Sequence, residues 1–151
     1  MKAWEQLDQV PVPGLNSSGG GLSSGGLSGG GLAGDAGQLS LHRRAGMGAG
    51  GTDEFEIRVG RHTLMSSRAS GSEKRLAELG CVHLQSHPNP RVLVGGLGLG
   101  FTLRKALDCL PETAEVGIAD LVPAVFDWNR GPLRDLAGNP LEDPRVVEHQ
   151  G

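Results

Sequence analysis

The residues best suited to chemistry sit in one turn, VGGLGLGF at 94–101. Gly96, Gly98 and Gly100 read G-x-G-x-G. A glycine backbone can approach a ligand closely and take φ > 0, and a helix that starts there adds unpaired N–H groups. Asp120 stands 20 residues past Gly100, where an acidic side chain after the next strand accepts the hydroxyls of a bound ribose. A dinucleotide turn needs G-x-G-x-x-G. Counted from Gly96 and Gly98, the third glycine falls on Phe101; counted from Gly95, the second falls on Leu97. The register therefore disfavours NAD. The shorter pattern suits an adenosyl sulfonium or thioether, which has no pyrophosphate to cradle. The plain alternative is a glycine-rich turn that only packs a helix on a strand.

These residues need elements to hold them. Arg91–Gly95 (RVLVG) is a short β-branched run leading into the turn, and FTLRKALDCL (101–110) leads out with Leu103, Ala106, Leu107 and Leu110 at helical spacing. Glu115–Ala119 predicts a second strand closed by Asp120, 122–136 one or two helical segments broken at Gly131-Pro132, and Arg145–Glu148 a third strand. Strand–helix–strand–helix–strand is the order of a Rossmann-like parallel α/β sheet. Upstream, Phe55, Ile57 and Val59 alternate with charged residues, and His62–Met65 follows a Gly60-Arg61 turn. Residues 38–68 thus predict a small antiparallel β domain of two or three strands. Between them, 70–85 predicts a helix capped by Ser70 or Ser72, with Leu76, Leu79, Val82 and Leu84 as its apolar face, stopped at His87-Pro88-Asn89-Pro90.

With 151 residues there is room for one core. The chain holds 26 glycines, where average usage of ~7% gives roughly 11. The window 14–37 alone carries 11 Gly and 5 Ser. Such composition does not repay the entropy of ordering, so 1–37 reads as a disordered Gly/Ser-rich arm. The net charge of −3 comes from the part after Gly51, with 11 basic and 14 acidic residues. That is no nucleic-acid surface. No run of about 18 apolar residues predicts a membrane span, and MKAWEQLDQVPVPG lacks a signal peptide's apolar stretch. A cytoplasmic protein is expected. Cys81 and Cys109 form neither a disulfide framework nor a metal pair and read as buried thiols. His83 and His87 are four apart but lack a third ligand. Ser66, Ser67 and Ser70 near His62 lack a G-x-S-x-G elbow. Trp128 reads as packing rather than as a stacking partner for adenine.

HPNPRVLVGGLGLGFTLRKAL, EVGIADLVPAV and DPRVVEHQG together resemble the spermidine/spermine synthase family, over roughly 38–151. The resemblance implies a small N-terminal β domain, a helix and a class I methyltransferase-like Rossmann domain, here 69–151. It implies S-adenosylmethionine or decarboxylated S-adenosylmethionine as bound substrate, with no metal. Gly95, Gly96, Gly98 and Gly100 would contact it and Asp120, in place of the more usual Glu, would hold its ribose. Where aminopropyltransferases carry Tyr-His-Glu, this chain reads Gly71-Ser72-Glu73, leaving Glu73 alone as a candidate substrate-binding residue. The family's adenine-reading Asp would follow Gly151, and its catalytic acidic loop comes after a fourth strand, so no catalytic residue is assigned. The expectation is the N-terminal half of an aminopropyl or methyl transferase. The alternative is a catalytically inactive relative that acts as a nucleoside binder or dimerising module. Without a fourth-strand neighbour, RVLVG would present an open apolar edge, which a homodimer or further chain would cover.

Overall fold

A computed structural model describes residues 2–14, 37–46 and 51–151. The repetitive Gly/Ser stretch at 15–36 lies outside them. Among the described residues, the first layer is an antiparallel sheet of β1 (Glu5–Pro11), β2 (Gln38–Arg44), β3 (Glu54–Val59) and β4 (His62–Ser66), in that spatial order. The alternation in β3 buries Phe55 and Ile57, with Ile57 opposite the buried Leu41 of β2 and Val59 opposite Leu39.

Strand β1 corrects the expected disordered arm over residues 5–11. Its pairing with β2 is reinforced at long range. The guanidiniums of Arg44 and Arg58 both lie over the Trp4 ring, 4.7 and 5.1 Å from its centroid. Glu5 pairs with Arg43 at 2.9 Å, and the Trp128 indole donates to Asp8 Oδ2 at 2.7 Å. That last bond ties the antiparallel sheet to the second half of the chain.

The second layer is a parallel sheet of β5 (Arg91–Gly95), β6 (Glu115–Asp120) and β7 (Val146–Gln150), in the order β5-β6-β7. Helices α1 (Gly71–Cys81), α2 (Phe101–Cys109) and α3 (Pro123–Arg130) accompany it. The fold is Rossmann-like α/β preceded by a small antiparallel sheet. Val94, Val116 and Ile118 are buried in the common core with Leu103, Leu107 and Phe126. Leu93, Gly117 and Val147 are in register on the opposite face. There Leu93 is 67% exposed, and β5 is an edge strand.

Helix α1 differs from its expected packing. Leu76, Leu79 and Val82 are exposed, and the residues it buries are Ala77 and Cys81. It lies close along α2 through this small-residue side. Lys74 sits over the Phe101 ring, and Lys105 pairs with Glu78 at 3.0 Å. Those contacts hold Glu78 below the usual carboxylate range, mainly through the Lys105 hydrogen bond. Beyond Cys81 the helix tightens into a 3-10 turn at Val82–Leu84. Burial pushes the Cys81 thiol up, while Cys109 is half-buried.

Strand β7 starts one residue later than expected, although Arg145 O already accepts Val116 N–H from β6 at 2.8 Å; the Arg145 side chain reaches back to α2. Its Nη1 donates to the carbonyls of Leu107, Leu110 and Pro111 at 3.0, 3.1 and 3.3 Å. The first two are acceptors left over at the end of α2, and Pro111 O, just past it, also accepts Ala114 N–H at 3.0 Å. Its Nε and Nη2 grip Asp143 at 2.9 and 2.7 Å. Asp-Pro-Arg is thus a clasp that caps α2 and delivers the chain into β7.

Candidate functional site

The turn between β5 and α2 is a tight one. Gly100 N–H donates to Leu97 O at 2.9 Å. Gly98, its first central residue, has φ +51, whereas Leu99 does not take positive φ. Positive φ at the first central position alone is the type II′ pattern, which selects glycine there. Gly100 caps α2 at φ +83. Both glycines are also closely packed. A Cβ on Gly98 would lie 2.4 Å from Met65 Sδ, and one on Gly100 would lie 2.9 Å from Asn129 Oδ1. The inner side of the turn is therefore packed on β4 and α3.

Asp120 braces the same turn from β6. Its Oδ2 accepts Leu97 N–H at 2.8 Å and its Oδ1 accepts Val122 N–H at 3.0 Å. A carboxylate oxygen has room for further donors, so this bracing leaves acceptor capacity for a ligand hydroxyl. The parallel register sets Ala119 beside Gly95 and Gln150 beside Asp120. The carboxyl ends of all three strands thus converge, the usual ligand position in an open α/β sheet.

An open cavity of about 510 Å³ lies there, with Gly96, Asp120, Leu121, His149 and Gln150 among its lining residues. Its size is within the range of small-molecule sites. A Cβ at Gly96 would meet nothing within 4 Å, so the turn backbone is open to the cavity at that point. The structure brings Gly96 and Asp120 together as the spacing predicted. Gly95 ends β5 beside them, and Gly98 and Gly100 shape the turn from within. Glu73 is not part of the cavity lining; it sits in the first turn of α1 and accepts from the Ser72 hydroxyl at 2.7 Å.

His149 and Gln150 were missed in the sequence. The available signal was that a third parallel strand must end beside Asp120. Trp128 is 3% exposed and bonded to Asp8. His83 and His87 lie exposed beyond α1, and no group of three or more metal-ligating side chains occurs among the described residues. No helix among those residues is long and apolar enough to cross a membrane.

No protein-family model matches the chain, and no curated protein matches it. Solved structures do. Spermidine synthase from Thermotoga maritima matches over 76% of this chain and 36% of its own, with TM-score 0.50 and 20% identity. A spermidine synthase in complex with the transition-state analogue AdoDATO matches over 76% of this chain and 37% of its own, at the same TM-score and identity. The fold is spermidine synthase-like. At this identity the likeness is one of architecture. The chain spans little more than a third of the length of these spermidine synthases.

Proposed function

We propose that this chain binds the adenosyl portion of S-adenosylmethionine or decarboxylated S-adenosylmethionine, as part of a spermidine synthase-like transferase. The observation that carries the reading is the placement of Asp120. It braces a G-x-G-x-G turn and lines a cavity at the carboxyl ends of three parallel strands. In this reading Asp120 accepts the ribose hydroxyls, Gly96 lets the ligand approach the backbone, and His149 and Gln150 border the remaining surface. A neighbour of the same fold is complexed with AdoDATO, which favours the decarboxylated form as the natural ligand.

The chemistry proposed for the complete active site is a displacement. An acceptor's lone pair attacks the aminopropyl or methyl carbon on the sulfonium. The C–S bond breaks with its electron pair going to sulfur, which leaves as a neutral thioether. An amine acceptor then gives up its proton. This chain's residues contribute by positioning the donor; none is assigned as the base.

Thermal unfolding with S-adenosylmethionine, decarboxylated S-adenosylmethionine, their thioether products and NAD tests the reading. An adenosyl sulfonium or thioether at about 100 times its dissociation constant should add ~2.7 kcal/mol. NAD should add nothing. A folded chain that none of the adenosyl compounds stabilises refutes the assignment.

A further inference from the structure

A second cavity, of about 330 Å³, lies at one end of the antiparallel sheet, with Lys2, Arg44, Thr52, Glu54 and Arg68 among its lining residues. It shares no lining residue with the cavity beside Asp120. Three cations meet one carboxylate there, in a chain whose net charge is −3. Like charges gathered in one cavity repel, and strand pairing accounts for only one of the three. Arg44 stands directly opposite Glu54 in the β2–β3 register and pairs with it. Arg68 approaches the same carboxylate only to 3.7 Å, with 65% of its side chain exposed. Lys2 spends one donor on Gly46 O at 3.2 Å. Asp53 does not supply the balance: its carboxylate accepts Gly46 N–H at 3.1 Å and lies 3.9 Å from Arg43.

The fold holds these groups in place. The Arg44 guanidinium lies over the Trp4 ring at 4.7 Å and donates to Glu54. Its side chain is 18% exposed, so its head is ordered before a ligand arrives, which lowers the cost of binding. Ser67 clamps the segment after β4 onto β3. Its N–H donates to Phe55 O and its Oγ accepts Phe55 N–H, both at 2.9 Å. That sets Arg68 beside Glu54. Unused donors remain, because a guanidinium has five N–H groups and an ammonium three, and the Thr52 hydroxyl can donate as well. Guanidinium forks with an ammonium match the oxygens of a phosphoryl group. The charge of such a group on a hydroxyl, about −1.5 to −2 at pH 7, also balances three cations set against one carboxylate.

We infer that this cavity is an anion site for a phosphoryl group, free or as a monoester. It is separate from the site proposed for the adenosyl ligand and stands whether or not that reading does.

The test titrates the full chain, ¹⁵N-labelled, with inorganic phosphate and with phenyl phosphate, sodium chloride holding the ionic strength constant. The amides of Arg44, Ala45, Thr52, Glu54 and Arg68 should shift and saturate, while those of Gly96 and Asp120 stay in place. Arg68→Gln removes an exposed cation that no strand pairing needs. It should keep the fold and lower phosphate affinity about tenfold or more, the scale of one charged hydrogen bond. Lys2→Gln should lower it by less, since one of its donors is already committed. Tighter binding of phenyl phosphate than of inorganic phosphate supports a monoester site, and equal or weaker binding supports a site for free phosphate. Should Arg68→Gln not fold, Lys2→Gln takes its place in the same titration. The inference is overturned if no amide shift saturates, if chloride alone reproduces the shifts, or if they appear only at the glycine-rich turn. Unchanged affinity in the folded variant overturns it equally.

Discussion

Replacing Arg145 by methionine should weaken the fold more than any surface change. The methionine keeps the apolar stem and deletes five hydrogen bonds, three to carbonyls at the end of α2 and two to Asp143. Both members of the pair retain only 15% of their side-chain exposure. Breaking a buried pair from one side costs ~3–5 kcal/mol. Here the upper end is unreachable, because water can enter at the helix terminus and Asp143 keeps the Arg145 backbone N–H at 3.1 Å. The working figure is about 2–4 kcal/mol. With a urea m-value of ~1–3 kcal/mol/M, the midpoint should fall by roughly 0.7–4 M at unchanged m. Arg145→Lys should fall between, since an ammonium cannot cover the same acceptors. In the Asp143→Asn, Arg145→Met double variant the loss should be smaller than the sum of the singles, because no carboxylate is left stranded. A methionine variant within ~0.5 kcal/mol of the parent, the scale of an ordinary surface change, would refute the clasp.

The same pair sets an acid limb. The Arg145 hydrogen bonds hold the Asp143 carboxyl below its ordinary value, so its contribution is full above the usual aspartate range of ~3.9 and is lost as pH falls through the depressed folded value; denaturation curves at several pH values should show this loss in the parent and not in Asp143→Asn. Gly98→Ala should destabilise by ~1–3 kcal/mol, since alanine must take φ +51 with its Cβ 2.4 Å from Met65 Sδ. Adding Met65→Ala should recover the steric part only, as measured by urea unfolding. The open β5 edge, with Leu93 exposed on it and Leu76 exposed on the same groove, predicts self-association that grows with concentration; light scattering after size exclusion should show Leu93→Lys and Leu76→Lys shifting the chain toward monomer. A parent chain that stays monomeric at high concentration would remove the homodimer proposal.

What could be read from the residues was whatever depends on local period. The β5 run, the α2 spacing, β6 with its terminal Asp120, and the alternation in β3 each carry their own pattern. So did the α1 helix, but its burial did not follow. Leu76, Leu79 and Val82 mark a face that favours burial, yet periodicity says nothing about whether a partner is present, and α1 instead meets α2 through Ala77 and Cys81. Strand β1 was illegible for the opposite reason. Its own residues are mixed and bounded by prolines, and its order comes from Arg43, Arg44, Arg58 and Trp128, distant in sequence. The candidate site divides the same way. Gly96 and Asp120 stand out because their chemistry depends on spacing along one β–α–β unit. His149 and Gln150 become visible only once β7 is known to lie parallel to β6. Asn129 looks like any polar helix residue until the carbonyl of Gly98 is found beneath its amide. A glycine pattern thus locates a turn, but part of what holds that turn in place is a side chain that the pattern does not contain.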